Sequence, residues 1–162
     1  MRKRRGSAVL DRIDGAIIRA LQHEGRLSNK ELAARVGLAP SSCLSRVRRL
    51  REEGVLGAVH TEVRAPAVGV GLQAMVSVRL AVHQREAFDA FRDHLLALPE
   101  VVVLYQLSGA DDFVAHVAVR DTETLRSLTL DAFATRPEVG HIETALIFEV
   151  ARKGLPFYEL TP

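Results

Sequence analysis

The sequence predicts an α+β protein in which an N-terminal winged helix-turn-helix precedes a C-terminal βαββαβ domain. Two observations carry this prediction. Capped helical segments dominate residues 1–64, whereas from Leu72 onward apolar residues alternate with period two around two further helical segments. The change falls at a Gly- and Ala-rich stretch, so we expect domains at 1–64 and 72–162 with a linker at 65–71.

The predicted domains also differ in charge. Of the 22 Lys/Arg and 20 Asp/Glu residues in the chain, residues 1–64 contain 14 and 7, a net charge of +7, which leaves −5 for the remainder. A basic first half favours a polyanion such as double-stranded DNA as partner, although an Arg-rich helix can also simply face water.

Helix boundaries can be read along the first half. Asp11 is a good N-cap, and apolar residues recur at helical spacing until Gly25, which suits a left-handed helix end. Ser28 and Glu31 form a capping box at the start of a short second helix. After a glycine-containing turn, Pro40 is placed as the first residue of a third helix. Two helices joined in this way form a helix-turn-helix, whose second helix enters the major groove.

The third helix is predicted to have one buried and one exposed face. Cys43, Val47 and Leu50 share a side, so Cys43 is expected to pack in the core rather than to act as a redox group. Roughly 115° away at 100° per residue lie side chains suited to base edges and phosphates, namely Ser42, Ser45, Arg46 and Arg49. For Arg48 and Arg51, DNA contact and plain solvation both remain open.

The segments that follow complete the predicted order of elements. Residues 55–63 are predicted to be extended and to return along the helices as a wing. A strand is expected from Leu72 to Val82, a helix from Arg85 to Leu98, and a hairpin of residues 101–107 and 113–119 around a turn at 108–112. Asp121 caps a second helix, and a last strand alternates through Ile142, Thr144, Leu146, Phe148 and Val150. This βαββαβ order is ferredoxin-like.

One face of the predicted sheet is unexpectedly apolar. Helices at this spacing cover one face of an antiparallel sheet, and the other face should then be polar if it meets water. The opposite phase instead carries Met75, Ala81, Val114, Ala118, Ala145 and Ile147. An exposed patch of this kind marks a partner surface, so we expect a homodimer formed through the sheet.

Other classes of function find little support. Cys43 is the single cysteine, and the six histidines show no metal-ligand spacing, so neither a disulfide framework nor a metal site is expected. Asp111 and Asp112 could be taken for the acid/base or metal pair of a small-molecule enzyme, yet Asp in a Gly-containing hairpin is ordinary turn chemistry. The basic start of the chain lacks the apolar segment of a signal peptide, and no run is long enough to span a membrane. We expect a soluble, cytoplasmic protein without catalytic residues or cofactors.

Taken together, these residues resemble the Lrp/AsnC family of feast/famine transcriptional regulators over nearly the whole chain. In the first half the resemblance rests on residues 10–14, 25–33 and 36–50 and on Glu53-Gly54. In the second half it rests on the hairpin Tyr105-Gln106-Leu107-Ser108-Gly109-Ala110-Asp111-Asp112 and on Thr144. The resemblance implies a sequence-specific DNA-binding regulator whose effector is often an amino acid, and dimers that assemble into tetramers or octamers.

The site residues expected from these patterns and this resemblance fall into two groups. DNA contacts are expected at Ser28, Asn29, Pro40, Ser41, Ser42, Ser45, Arg46 and Arg49. The basic N-terminal arm is expected to neutralise further phosphates. Effector contacts near the turn between dimers are expected at Tyr105, Ser108, Gly109, Ala110, Asp111, Asp112 and Thr144. Effector binding would change the spacing of the DNA-binding heads.

Three positions depart from the family's usual pattern. Ala39 stands where Ser is frequent as helix N-cap, a loss of up to about 1 kcal/mol that Pro40 partly offsets. Ser45 replaces a frequent Arg and Ile142 a frequent Thr, so operator sequence and effector do not carry over from other members. The alternative function is an effector-independent, architectural DNA-binding protein.

Overall fold

The computed structural model describes residues 10–82 and 84–156, which form two compact units. Of the described residues, 10–61 and 151–156 form one unit, and Glu62–Val150 contains the other. The basic N-terminal arm lies outside the described residues. Within the part of the chain that is described, no helix is both long enough and apolar enough to cross a bilayer.

The first unit is a bundle of three helices, as the sequence predicts: α1 (Arg12–His23), α2 (Asn29–Val36) and α3 (Pro40–Glu52). Asp11 and Ser28 both form reciprocal capping boxes, whereas Ala39 makes no side-chain cap before α3. One apolar face of each helix packs inward. The buried core of the unit consists of Ile17, Ala20, Leu32, Ala33, Cys43, Val47 and Leu50.

One expectation for this unit is wrong. Helix α1 ends at His23, and Gly25 does not have a left-handed φ. A Cβ at Gly25 would lie 3.1 Å from Val59 Cγ1, so the glycine permits close packing rather than a helix end. Over the segment predicted as a wing, residues 57–63 form no ladder within the described chain and leave Val59 and Val63 exposed. An extended segment needs a neighbouring strand to pair its backbone groups.

The end of the described chain also packs in the first unit. Gln22 of α1 donates a hydrogen bond from Nε2 to the carbonyl oxygen of Leu155 at 3.2 Å. Gly154 lies so close to the same side chain that a Cβ there would meet Gln22 Oε1 at 2.5 Å. A residue with a side chain at position 154 would therefore have to displace Gln22.

The second unit is a four-stranded antiparallel sheet with helices on one face, which confirms the predicted βαββαβ order. After a 3₁₀ turn at Ala65–Val68 come β1 (Leu72–Leu80), α4 (Arg85–Ala97), β2 (Val101–Gln106), β3 (Phe113–Val119), α5 (Thr122–Leu128) and β4 (Val139–Leu146). The strand order is β2-β3-β1-β4. The sheet residues Val76, Val78, Ala115 and Val117 share a core with Phe91, Leu95, Leu125, Leu128 and Phe133 of the helical segments.

Two features of this unit differ from the predicted pattern. Helix α5 continues as a π-helical segment, Thr129–Ala134, which buries Ala132 and Phe133. The last strand stops at Leu146, and Phe148 is 97% exposed rather than part of the alternation. Both differences depend on how the chain packs at the end of a helix or strand. The spacing of apolar residues along the sequence does not determine that packing.

The sheet face away from the helices, called the open face below, carries the apolar residues that the sequence assigned to it. Met75 of β1 lies opposite His116 of β3 and Ala145 of β4, and Val114 lies opposite Tyr105 of β2. His116 is nevertheless buried, with Nε2 2.9 Å from Gln73 Oε1. Ala81 and Ile147 follow the ends of their strands.

Candidate nucleic-acid interface and effector turn

The first unit fixes the start of α3 against the start of α2. Ser28 caps α2 by accepting a hydrogen bond from the backbone N–H of Glu31. Asn29 then donates from Nδ2 to the carbonyl oxygen of Pro40 at 2.8 Å. The N-terminal ends of both helices are therefore tied together, and such helix ends favour anionic groups. Among the expected DNA contacts, Ser28 and Asn29 also perform this structural task.

Helix α3 presents short polar side chains on its exposed side. Ser41, Ser42 and Ser45 are exposed, opposite the buried Cys43, Val47 and Leu50. Burial raises the pKa of the Cys43 thiol, which keeps it protonated and unreactive at neutral pH. The exposed serines allow a duplex to approach the helix closely, because they add little bulk.

Arg46 and Arg49 lie at the edge of this face and form ion pairs with α1. Arg46 Nη1 is 2.6 Å from Asp11 Oδ2 and 3.0 Å from Asp14 Oδ1, and Arg49 Nη2 is 2.6 Å from Asp14 Oδ2. Burial disfavours the charged form of Asp14, but hydrogen bonds from Arg49, the Asp11 backbone and Arg46 outweigh it and lower the pKa. The carboxylate therefore stays ionised.

Arg48, for which the sequence is compatible with either DNA contact or solvation, is a candidate DNA contact in the structure. Arg48 is exposed one turn beyond Ser45, and it has no ion-pair partner among residues 10–82 and 84–156. Its guanidinium is thus available to a phosphate. Ser41, Ser45 and Arg48 are spaced at i, i+4 and i+7, which places them in one stripe on the helix surface. This spacing is the sequence signal that identifies Arg48 as a candidate DNA contact.

The second candidate site is the turn between β2 and β3. Ser108, Gly109 and Ala110 are exposed, and Gly109 has a φ of 152°. Arg79 donates from Nε to the Ala110 carbonyl at 2.6 Å, and Asp112 accepts the Leu80 backbone N–H at 2.8 Å. The turn is thereby fastened to the end of β1. Asp112 has a structural role here, and no group of three metal-ligating side chains occurs in the described residues.

Two of the expected effector contacts lie on opposite faces of the sheet. Tyr105 is paired with Val114 and lies on the open face, whereas Thr144 is paired with Val76 and lies on the helix-covered side. Strand β1 also separates Thr144 from the hairpin. Within one chain, Thr144 is therefore separated from the hairpin that carries the other six expected residues.

Comparisons with known proteins agree with this arrangement of helices and sheet. A winged helix-turn-helix DNA-binding profile matches residues 10–56, and the profile of the Lrp/AsnC ligand binding domain matches residues 73–155. The chain is 44% identical over 147 residues to the HTH-type transcriptional regulator AldR of Mycolicibacterium smegmatis, covering 91% of this chain and 86% of AldR. It is 31% identical to the leucine-responsive regulatory protein of Escherichia coli K12, covering 93% and 92%.

A solved structure extends the similarity to three dimensions. The crystal structure of a transcriptional regulator from Neisseria meningitidis in complex with L-Met superposes with a TM-score of 0.83 at 28% identity, covering 91% of this chain and 96% of that one. The fold and these matches define a DNA-binding transcriptional regulator with a small-molecule effector domain. The chain belongs to the Lrp/AsnC family.

Proposed function

We propose that α3 lies in the major groove of double-stranded DNA and reads a specific operator. The proposed contacts are Ser28, Asn29, Pro40, Ser41, Ser42, Ser45, Arg46 and Arg49, with Arg48 added. The observation that carries this proposal is the exposed serine face of α3, bordered by three guanidinium groups. The basic N-terminal arm would add phosphate contacts. This DNA-binding role requires no catalytic step. We propose that the protein carries it out in the cytoplasm, where the chromosome lies.

The contribution of the α3 face can be measured through its salt dependence. We expect Arg48→Gln to weaken binding to all duplexes and to reduce the slope of log affinity against log salt by about 1, because one phosphate contact is lost. The measurement is fluorescence anisotropy on a selected duplex between 50 and 200 mM salt, a range that resolves such slopes. Arg126→Gln on α5 removes another exposed arginine, from the other unit, and is the control. Equal slopes for both variants and the unaltered protein would contradict the proposed face.

We further propose that the effector is an amino acid bound around Gly109 to Asp112. The solved L-Met complex of the similar Neisseria meningitidis regulator supports this assignment. Tyr105 and Thr144 lie apart in one chain, so a second copy would have to complete the pocket. Effector binding would then depend on assembly, as expected for a regulator whose oligomer changes geometry.

A thermal-shift screen tests the effector. At about 100 times its dissociation constant, a bound amino acid stabilises the native state by about 2.7 kcal/mol, which raises Tm clearly. We expect at least one of the protein amino acids, with L-Met and L-Leu screened first, to do so, and Asp111→Ala to remove the shift. Asp93→Ala on α4, an exposed carboxylate of the same unit, is the control. No shift with any amino acid, with or without DNA, would favour the architectural alternative.

The open face supports a proposal for assembly. Met75, Val103, Val114, Ala118 and Ala145 form an apolar patch there, with Tyr105 47% exposed beside it. We propose that two copies pair through this face and that such dimers associate further into tetramers or octamers. Covering the patch removes apolar area from water, which is the main driving force for such association.

A further inference from the structure

We propose that Asp14 is a positioning residue that sets the DNA-reading geometry of α3 by holding Arg46 and Arg49 together. The inference rests on the proposed function, because it assigns a role within the same interface. Asp14 belongs to α1, yet its carboxylate is shared between two guanidinium groups of α3. It thereby determines where both cations lie relative to the serine face.

The Asp14 carboxylate is fully engaged and almost fully buried. Its side chain is 1% exposed, Oδ1 accepts from Arg46, and Oδ2 accepts both from Arg49 and from the Asp11 backbone N–H at 3.1 Å. Three donors in fixed directions leave the carboxylate one orientation. Each arginine that bonds to it is therefore restricted in the same way.

The two arginines remain partly accessible despite these bonds. The Arg46 and Arg49 side chains are 30% and 38% exposed. A guanidinium has five N–H donors, and the bonds to Asp11, Asp14 and Glu53 leave several of them unused on each side chain. The same groups can therefore be anchored on one side and offered to DNA on the other.

Stability alone is a weak reason for this arrangement. Burying an ion pair costs desolvation of both groups, and apolar residues of similar volume often serve the fold as well or better. A carboxylate that fixes two base- or phosphate-facing cations, by contrast, sets their register before DNA arrives. Pre-ordered side chains lose less entropy on binding.

Removal of the Asp14 charge therefore has a distinctive signature. The two guanidinium groups would lose a neutralising partner, so their attraction to any phosphate backbone would persist or increase. They would also lose their fixed positions, so discrimination between duplexes would fall. A purely structural role predicts a different result, namely an equal loss of binding to every duplex.

The test uses the full chain with Asp14→Asn and two duplexes. One duplex is enriched by in vitro selection with the unaltered protein, and the other has the same composition in shuffled order. We expect the ratio of affinities to fall at least tenfold while affinity for the shuffled duplex is unchanged or higher. An unchanged ratio, or parallel loss on both duplexes, would overturn the inference. If the unaltered protein enriched no duplex, the proposed function itself would fail instead.

Two further variants keep the test decisive if Asp14→Asn does not fold. The double variant Arg46→Lys and Arg49→Lys retains both charges but removes the planar fork, so it should lower the affinity ratio with Asp14 in place. Glu53→Gln removes the exposed carboxylate that lies 3.4 Å from Arg49 and should change the ratio by less than twofold. Equal ratios for the lysine variant and the unaltered protein would also overturn the inference.

Discussion

Replacing Phe91 with alanine is expected to lower the free energy of unfolding of the sheet unit by about 3–5 kcal/mol. Phe91 is fully buried in α4, and its ring centroid lies 5.5 Å from that of Phe113. Phe113 in turn lies 5.6 Å from Phe88. The substitution would leave a cavity beside Phe113, where one of three packed rings is removed. Urea denaturation followed by circular dichroism measures the loss.

The same helix provides the control for this experiment. Leu96 of α4 is 60% exposed, so Leu96→Ala removes a leucine side chain from the surface rather than from the core. We expect it to change the free energy of unfolding by less than about 0.5 kcal/mol. Similar losses for the two variants would mean that α4 does not pack on the sheet as described.

The second large effect concerns assembly. Met75→Glu is expected to weaken self-association at least 100-fold, because it would bury an unpaired carboxylate in an apolar interface and place it near its symmetry mate. Such burial costs several kcal/mol, and about 2.7 kcal/mol corresponds to a 100-fold change. Met75→Lys should act in the same direction, which excludes compensation by a neighbouring charge. Analytical ultracentrifugation over a dilution series measures the dissociation constant.

Leu96→Glu is the matched control for Met75→Glu. It adds the same charge to the same unit, but on the outer surface of α4. We expect its dissociation constant to stay within about threefold of that of the unaltered protein. If both glutamate variants dissociated alike, a surface other than the open face would join the copies.

Much of this architecture follows from local sequence patterns, namely helix-capping residues and the alternation of apolar residues. The capping residues Asp11, Ser28 and Asp121 each precede a helix because their side chains bond backbone N–H groups within three residues. The limits of β3 follow equally well from alternation, because Phe113 to Val119 alternate between a core and an open face.

Features that depend on distant residues could not be predicted in this way. The contacts of Arg46 and Arg49 with Asp14 join positions 32 and 35 residues apart, so the helical phase identified the arginines but not their partner. Thr144 and Tyr105 were grouped by resemblance, yet strand register places them on opposite faces of the sheet. Whether residues 57–64 pair as a strand depends on a neighbouring strand and not on their own composition.

The packing of Leu155 against Gln22 has a consequence for how such proteins can exchange parts. Because the first unit includes residues 151–156 as well as 10–61, the gene encodes this unit in two separated pieces. A recombination event that transferred only the first 64 codons to another gene would leave the second piece behind. The transferred unit would then lack the segment whose Leu155 carbonyl accepts a hydrogen bond from Gln22.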